Sequence, residues 1–141
     1  MLIKQLLEQK GHVVVSIAPT ASVYEAVARM AEKGIGALLV LDAGRVVGVM
    51  SERDYARKVI LQDRASKTTQ VREIMTTRVV TGRANQTISE SMALMTDKRI
   101  RHLPIMDGDT VLGMISIGDL VKAIIADQQF VISQLEHYIT S

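Results

Sequence analysis

A nine-residue phrase occurs twice in this chain, and its spacing constrains the fold more than any other feature. Residues 46–54 read V-V-G-V-M-S-E-R-D and residues 111–119 read V-L-G-M-I-S-I-G-D. Each is an apolar strand carrying a glycine, then a serine, then an aspartate three residues on that opens a helix. Asp54 and Asp119 are 65 residues apart, and that offset holds without a gap from Val15/Val80. Glu25 falls on Glu90, Met30 on Met95, Ile35 on Ile100, Leu38 on Leu103, Asp42 on Asp107 and Gly48 on Gly113. A register-true match of this length means two copies of one structural unit.

The 141 residues amount to one ordinary domain, enough to bury about two-thirds of the extended surface. Each copy alone is near the small end of what folds independently, so the two are expected to share a core. With 48% hydrophobic and only 3% aromatic residues, that core is aliphatic. The absence of cysteine excludes disulfides, thiolate metal sites and a cysteine nucleophile, and fits a cytoplasmic location. Charges interrupt the apolar N-terminus, which therefore does not read as a signal peptide. No run approaches the ~18 apolar residues of a membrane span. The net charge of +2 is too small an imbalance to argue for nucleic acid, despite a pI near 9.

Ser22-x-x-Glu25 and Thr87-x-x-Glu90 are capping boxes ahead of helical apolar periods. Short strands follow at 37–41 and 102–106, turns at 42–45 and 107–109, then second strands at 46–50 and 111–115. Second helices start near Glu52 and Ile117, and a short strand is expected before each unit, around 13–16 and 79–81. The predicted class is α/β, of the α+β kind: two β-α-β-β-α repeats packed by pseudo-two-fold symmetry, with terminal helices. The expected division is 1–66 for repeat one with its N-terminal helix and 67–141 for repeat two with its C-terminal helix, the polar stretch 63–70 acting as linker. Residues 71–75 reopen a helical turn that echoes residues 3–7. Leu120, Ile124, Val131, Leu135 and Tyr138 form an apolar stripe on the last helix, and Leu2, Ile3, Leu6 and Leu7 a shorter one at the start. Both are expected to be exposed in a monomer, which predicts a homodimer.

The β-α-β-β-α duplication, each unit closing on G-h-h-S-x-x-D-h (h, apolar), resembles a tandem pair of CBS domains, or Bateman module. The phrases 100–105 (I-R-H-L-P-I) and 51–55 (S-E-R-D-Y) are typical of bacterial members. The resemblance covers almost the whole chain and implies a stand-alone pair, with an effector protein reached in trans.

Ser-x-x-Asp at a helix start is itself a capping box, and most such boxes bind nothing. The same geometry offers an aspartate to two vicinal hydroxyls, such as a ribose presents, and Gly48 and Gly113 leave room for a ligand against the strand. The resemblance implies that Asp54 and Asp119 hold ribose, with Ser51 and Ser116 near ribose and phosphate. It implies that Arg101 and His102 reach the phosphate of the ligand held by Asp54, and that Arg53 serves the ligand held by Asp119. A solvated arginine and a packed histidine are the alternative for that pair. The first copy has Gly36-Ala37 where the second has Arg101-His102, so the two sites are expected to differ. The resemblance implies that Val14, Ile35, Ala37, Val79, Ile100 and Pro104 lie where a purine would be sandwiched, and core packing explains each of them equally well. Arg57, Lys58, Arg64 and Lys67 read as solvated surface.

His12, His102 and His137 lack metal-ligand spacing, and neither a nucleophile elbow nor a Walker loop is present. The expectation is a regulatory, non-enzymatic module without a metal. It would bind AMP, ADP, ATP, NAD or S-adenosylmethionine in the clefts between repeats and signal by conformational change. The alternative is a structural oligomerisation protein with no ligand.

Overall fold

Hydroxyl caps set where the long helix of each repeat begins. In the computed structural model, which describes residues 1–140, helix α2 spans Val23–Lys33 and helix α4 spans Ile88–Lys98. Ser22 Oγ accepts from the Glu25 amide at 3.1 Å and Thr87 Oγ1 from the Glu90 amide at 3.0 Å. Both helices end on a left-handed residue: Gly34 at φ 63° and, 65 positions on, Arg99 at φ 55°. Arg99 does without glycine at a cost of about 1 kcal/mol.

Each helix feeds an antiparallel hairpin. Strands β2 (Ala37–Asp42) and β3 (Arg45–Ser51) pair in one repeat, and β4 (His102–Asp107) and β5 (Thr110–Ser116) in the other. Bulges fall at Val40/Leu41 and Ile105/Met106, the same place in each copy. The expected leading strands differ. In the first repeat, β1 forms at Ser16–Ile17, parallel to β2, which makes a three-stranded sheet. In the second, the leading segment is reduced to a bridge between Gly82 and Ile105, the counterparts of Ile17 and Val40 in the first copy. Gly82 gives an amide to Pro104 O and accepts from Met106, but its neighbours turn away, Gln86 bonding back to Arg83.

The chain forms two compact units whose boundaries differ from the expected break at 66/67. One unit is Val13–Val79; the other joins Met1–His12 to the chain from Val80 onward. The reason is apolar packing. The hydrophobic core of the first unit contains Ile17, Val23, Met30, Leu38, Met50 and Val59 and is completed by Val71 and Ile74. The core of the second contains Ile88, Met95, Leu103, Ile115 and Leu120 and is completed by Ile3, Leu6 and Leu7 of helix α1 (Ile3–Lys10). Each unit thus has a core of its own, closed by the segment that precedes the other repeat. Three of the four residues of the N-terminal stripe are accordingly buried, not exposed as the pattern suggested: Ile3 and Leu7 are at most 1% accessible and Leu6 is buried, while Leu2 stays exposed.

The stretch 63–70 is no loose linker. Val23 and Tyr24 donate their amides to Thr69 O and Ser66 O, and Arg64 pairs with Glu73 at 2.7 Å. The ammonium of Lys67 lies 5.0 Å from the Tyr24 ring centre. The helices after the repeated serines also differ. Helix α3 is only Glu52–Tyr55 and continues as a π-helical turn, Ala56–Ile60, whereas α5 runs unbroken over Ile117–Thr140. Leu120 is buried, Ala123 and Ile124 pack against the core, and residues 125–140 are all exposed.

Leu7→Ala removes a buried side chain from a core its own repeat does not otherwise supply. It is expected to cost about 2–5 kcal/mol, read as a lower urea midpoint with an unchanged slope. An unaltered midpoint would mean that α1 is not part of that core.

Candidate functional site

The two glycines that seemed to leave room for a ligand are filled from within their own units. A Cβ on Gly48 would meet the Met75 sulfur at 2.7 Å, and one on Gly113 would meet Leu7 Cδ2 at 2.6 Å. These glycines admit the core-closing segments, which corrects the expectation that they face a ligand. The chemistry lies at the end of each strand instead.

At the close of β3, the Ser51 amide and hydroxyl donate to Asp54 Oδ2 at 3.0 and 3.1 Å. The Asp54 amide returns to Ser51 Oγ at 3.1 Å. Thr76 Oγ1 donates to Oδ1 at 3.3 Å, and Lys58 Nζ lies 3.2 Å from the same oxygen while donating to Ile74 O. Asp54 is thus a buried carboxylate with both oxygens engaged.

Asp119 repeats the pattern more openly. The Ser116 amide donates to its Oδ2 at 2.8 Å, and its own amide returns to Ser116 Oγ at 3.1 Å. Lys10 Nζ donates to the same Oδ2 and to Met114 O, both at 2.6 Å. The Asp119 side chain is 22% accessible against 12% for Asp54. Burial alone would raise the Asp119 pKa. The Lys10 ammonium and the Ser116 amide outweigh it and hold the carboxyl below its ordinary value.

Beside this second pair lies an open depression of about 490 Å³ lined by Arg101, His102, Ser116, Ile117 and Gly118. Strand pairing builds it: His102 is the register partner of Ser116, and the Ile117 amide donates to Arg101 O at 2.9 Å. The same bond joins Glu52 to Gly36 in the first unit at 3.0 Å, where no basic side chain follows.

Arg101 and His102 therefore stand next to Ser116 in their own unit, while Asp54 belongs to the other unit. Arg53 sits half-buried on α3 in the unit of Asp54, and Asp119 lies in the other. The purine-pocket candidates are likewise divided. Val14, Ile35, Ala37 and Val79 belong to one unit, Ile100 and Pro104 to the other. Ile35 and Ile100 pack on their respective cores, and Ala37 and Pro104 are buried.

Sequence reading missed Lys10, Thr76 and the role of Lys58. Lys58 was legible as the i,i+4 partner of Asp54 on one helix face. Lys10 carried no signal, because it meets Asp119 across 109 residues of sequence.

Comparison with known proteins agrees with this architecture. The family model described as CBS domain matches residues 11–61 and 71–126. A solved protein with CBS domains from Burkholderia ambifaria MC40-6 is 50% identical, with a TM-score of 0.87, over 91% of this chain and 96% of that one. The Arabidopsis thaliana protein "CBS domain-containing protein CBSX3, mitochondrial" is 40% identical over 84% of this chain but only 60% of its own length. The CBS domain pair of MJ0100, solved in complex with 5'-methylthioadenosine and S-adenosyl-L-methionine, shares the fold at 22% identity and a TM-score of 0.80, over 90% of this chain and 98% of that one.

Lys10→Met should raise the Asp119 pKa toward the ordinary carboxylate value, followed by carboxyl-carbon NMR titration. Because the folded-state pKa is depressed, the pair's stabilisation is present above the unfolded value and lost as pH falls through the folded one. Wild type should thus be the more stable at neutral pH, and the difference should vanish in acid. A pKa that does not move would exclude the pairing.

Proposed function

The chain belongs to the CBS domain family of regulatory modules, and we propose that it binds an adenosine-containing ligand at its repeated Ser-x-x-Asp turns and signals by conformational change. The observation that carries this reading is the geometry of Asp119. Its Oδ2 is held by Ser116 and Lys10, the side chain is part-exposed, and it lies on the turn that lines the Arg101–His102 depression. A carboxylate so fixed is a ready acceptor for a ribose diol, and a guanidinium close by suits phosphate. The ligand complex of MJ0100 supports the adenosine class. AMP, ADP, ATP, NAD and S-adenosylmethionine all fit that class. Asp54, more buried and with both oxygens engaged, is the weaker of the two sites. In this reading the ligand is an effector that the module binds and releases unchanged. The ligand shifts the module only by its difference in affinity between conformations.

Helix α5 favours a second element of the reading. Val121, Ile125, Ile132, Leu135 and Ile139 are each at least 40% accessible and recur at three-, four- and seven-residue steps. Residues 125–140 are all exposed, and a helix of that length is marginal alone in water. A second copy offers the same stripe, which makes a homodimer through α5 the assembly we favour, with an effector protein acting in trans and the cytoplasm as its setting. Were no ligand bound, this helix would still support a purely structural role.

Calorimetry with AMP and NAD tests the ligand. Asp119→Asn should weaken binding by about ten- to a hundred-fold, the loss of one charge-assisted hydrogen bond, and Asp54→Asn should do less. Arg101→Ala should weaken AMP more than adenosine. Undiminished binding in the double aspartate variant would reject these sites. Leu135→Asp should shift sedimentation from dimer to monomer; a wild type that is already monomeric at tens of micromolar would refute the assembly.

A further inference from the structure

The two repeated aspartates each meet a lysine, but the lysines come from unrelated places. Asp54 meets Lys58, four residues on along its own helix. The matching position in the second repeat is Ala123, which cannot supply a charge. There the ammonium arrives from the last turn of α1, where Lys10 bonds Asp119 at 2.6 Å. Both lysines also donate to a backbone carbonyl, Ile74 O for Lys58 and Met114 O for Lys10, so each is held at its carboxylate from two directions. The geometry at Asp119 is the tighter, and it is the one beside an open depression.

We infer that Lys10 is the residue that makes the Asp119 site select anionic adenosine ligands over neutral ones. This rests on the proposal that Asp119 receives a ribose. A diol that takes Asp119 Oδ2 displaces the ammonium from its partner. A ligand with a phosphate returns an anion to Lys10, and the exchange keeps charge paired. A nucleoside returns nothing, and its binding sacrifices the ion pair. Lys10 therefore opposes nucleosides and spares nucleotides at one position, a discrimination between two ligands that share the same base and sugar. Arg101 is different, because it adds an attraction for phosphate without occupying the ribose acceptor.

The test uses Lys10→Met, which keeps the aliphatic stem along α1, and Lys10→Arg, which keeps the charge. AMP and adenosine affinities are measured by calorimetry in the full chain, alone and combined with Asp119→Asn. The expected result is a roughly tenfold tightening of adenosine in Lys10→Met, because the ligand no longer breaks a charge-assisted contact, with AMP little changed. Lys10→Arg should keep the AMP preference, and the gain for adenosine in Lys10→Met should disappear when Asp119 is already asparagine. A parallel fall for both ligands, or an unchanged ratio, would make Lys10 a structural tether and overturn the inference while leaving the ribose role of Asp119 intact. Failure of wild type to bind either ligand would overturn the ribose reading and this inference together.

Discussion

The burial of one segment against a glycine holds each unit together. Leu7 fills the space over Gly113, and Met75 fills the space over Gly48. A hairpin with one or two helices leaves an apolar face at this point, and each repeat lacks a residue of its own to cover it. The cover comes from the segment ahead of the other repeat, so the chain passes from one unit to the other at 12/13 and again at 79/80. At roughly 25 cal/mol per Å² of apolar surface, three buried aliphatic residues such as Ile3, Leu6 and Leu7 are a substantial share of what stabilises a unit of this size. Neither repeat is therefore a complete folding unit as it is written in sequence.

The same exchange sets up the site. Helix α1 enters the second unit to bury Ile3, Leu6 and Leu7, and its last turn then carries Lys10 to Asp119. In the first unit the covering segment brings Thr76 to Asp54, and Ile74 O anchors Lys58. Core closure and carboxylate environment are thus coupled within a few residues of sequence, Leu7 lying three positions before Lys10 and Met75 next to Thr76. The two aspartates share a local turn and differ in what the exchanged segment delivers to them. One is buried with both oxygens engaged, the other part-open beside a basic strand end.

The repeats diverge furthest after those turns. Helix α3 gives way to a π-helical turn that aims Lys58 back at Asp54, whereas α5 runs for 24 residues and is exposed from residue 125 onward. One copy spends the segment on its own carboxylate. The other spends it on an apolar stripe suited to a partner.

The 65-residue register, the capping boxes and the Ser-x-x-Asp turns were determined by the sequence alone, because each depends on residues within four positions or on a repeat that survives in plain text. The hairpins, their matched bulges and the two candidate carboxylates follow from those local rules. Tertiary structure alone decided which leading segment closes which core. The periodicities of 3–7 and 71–75 are compatible with either partner, and only the fit against Gly113 or Gly48 distinguishes them. It also decided that those glycines admit side chains of the protein, and that the counter-charge at Asp119 comes from Lys10. An ion pair spanning 109 residues leaves no periodic trace, since its partners are brought together by burial of other residues and not by their own spacing.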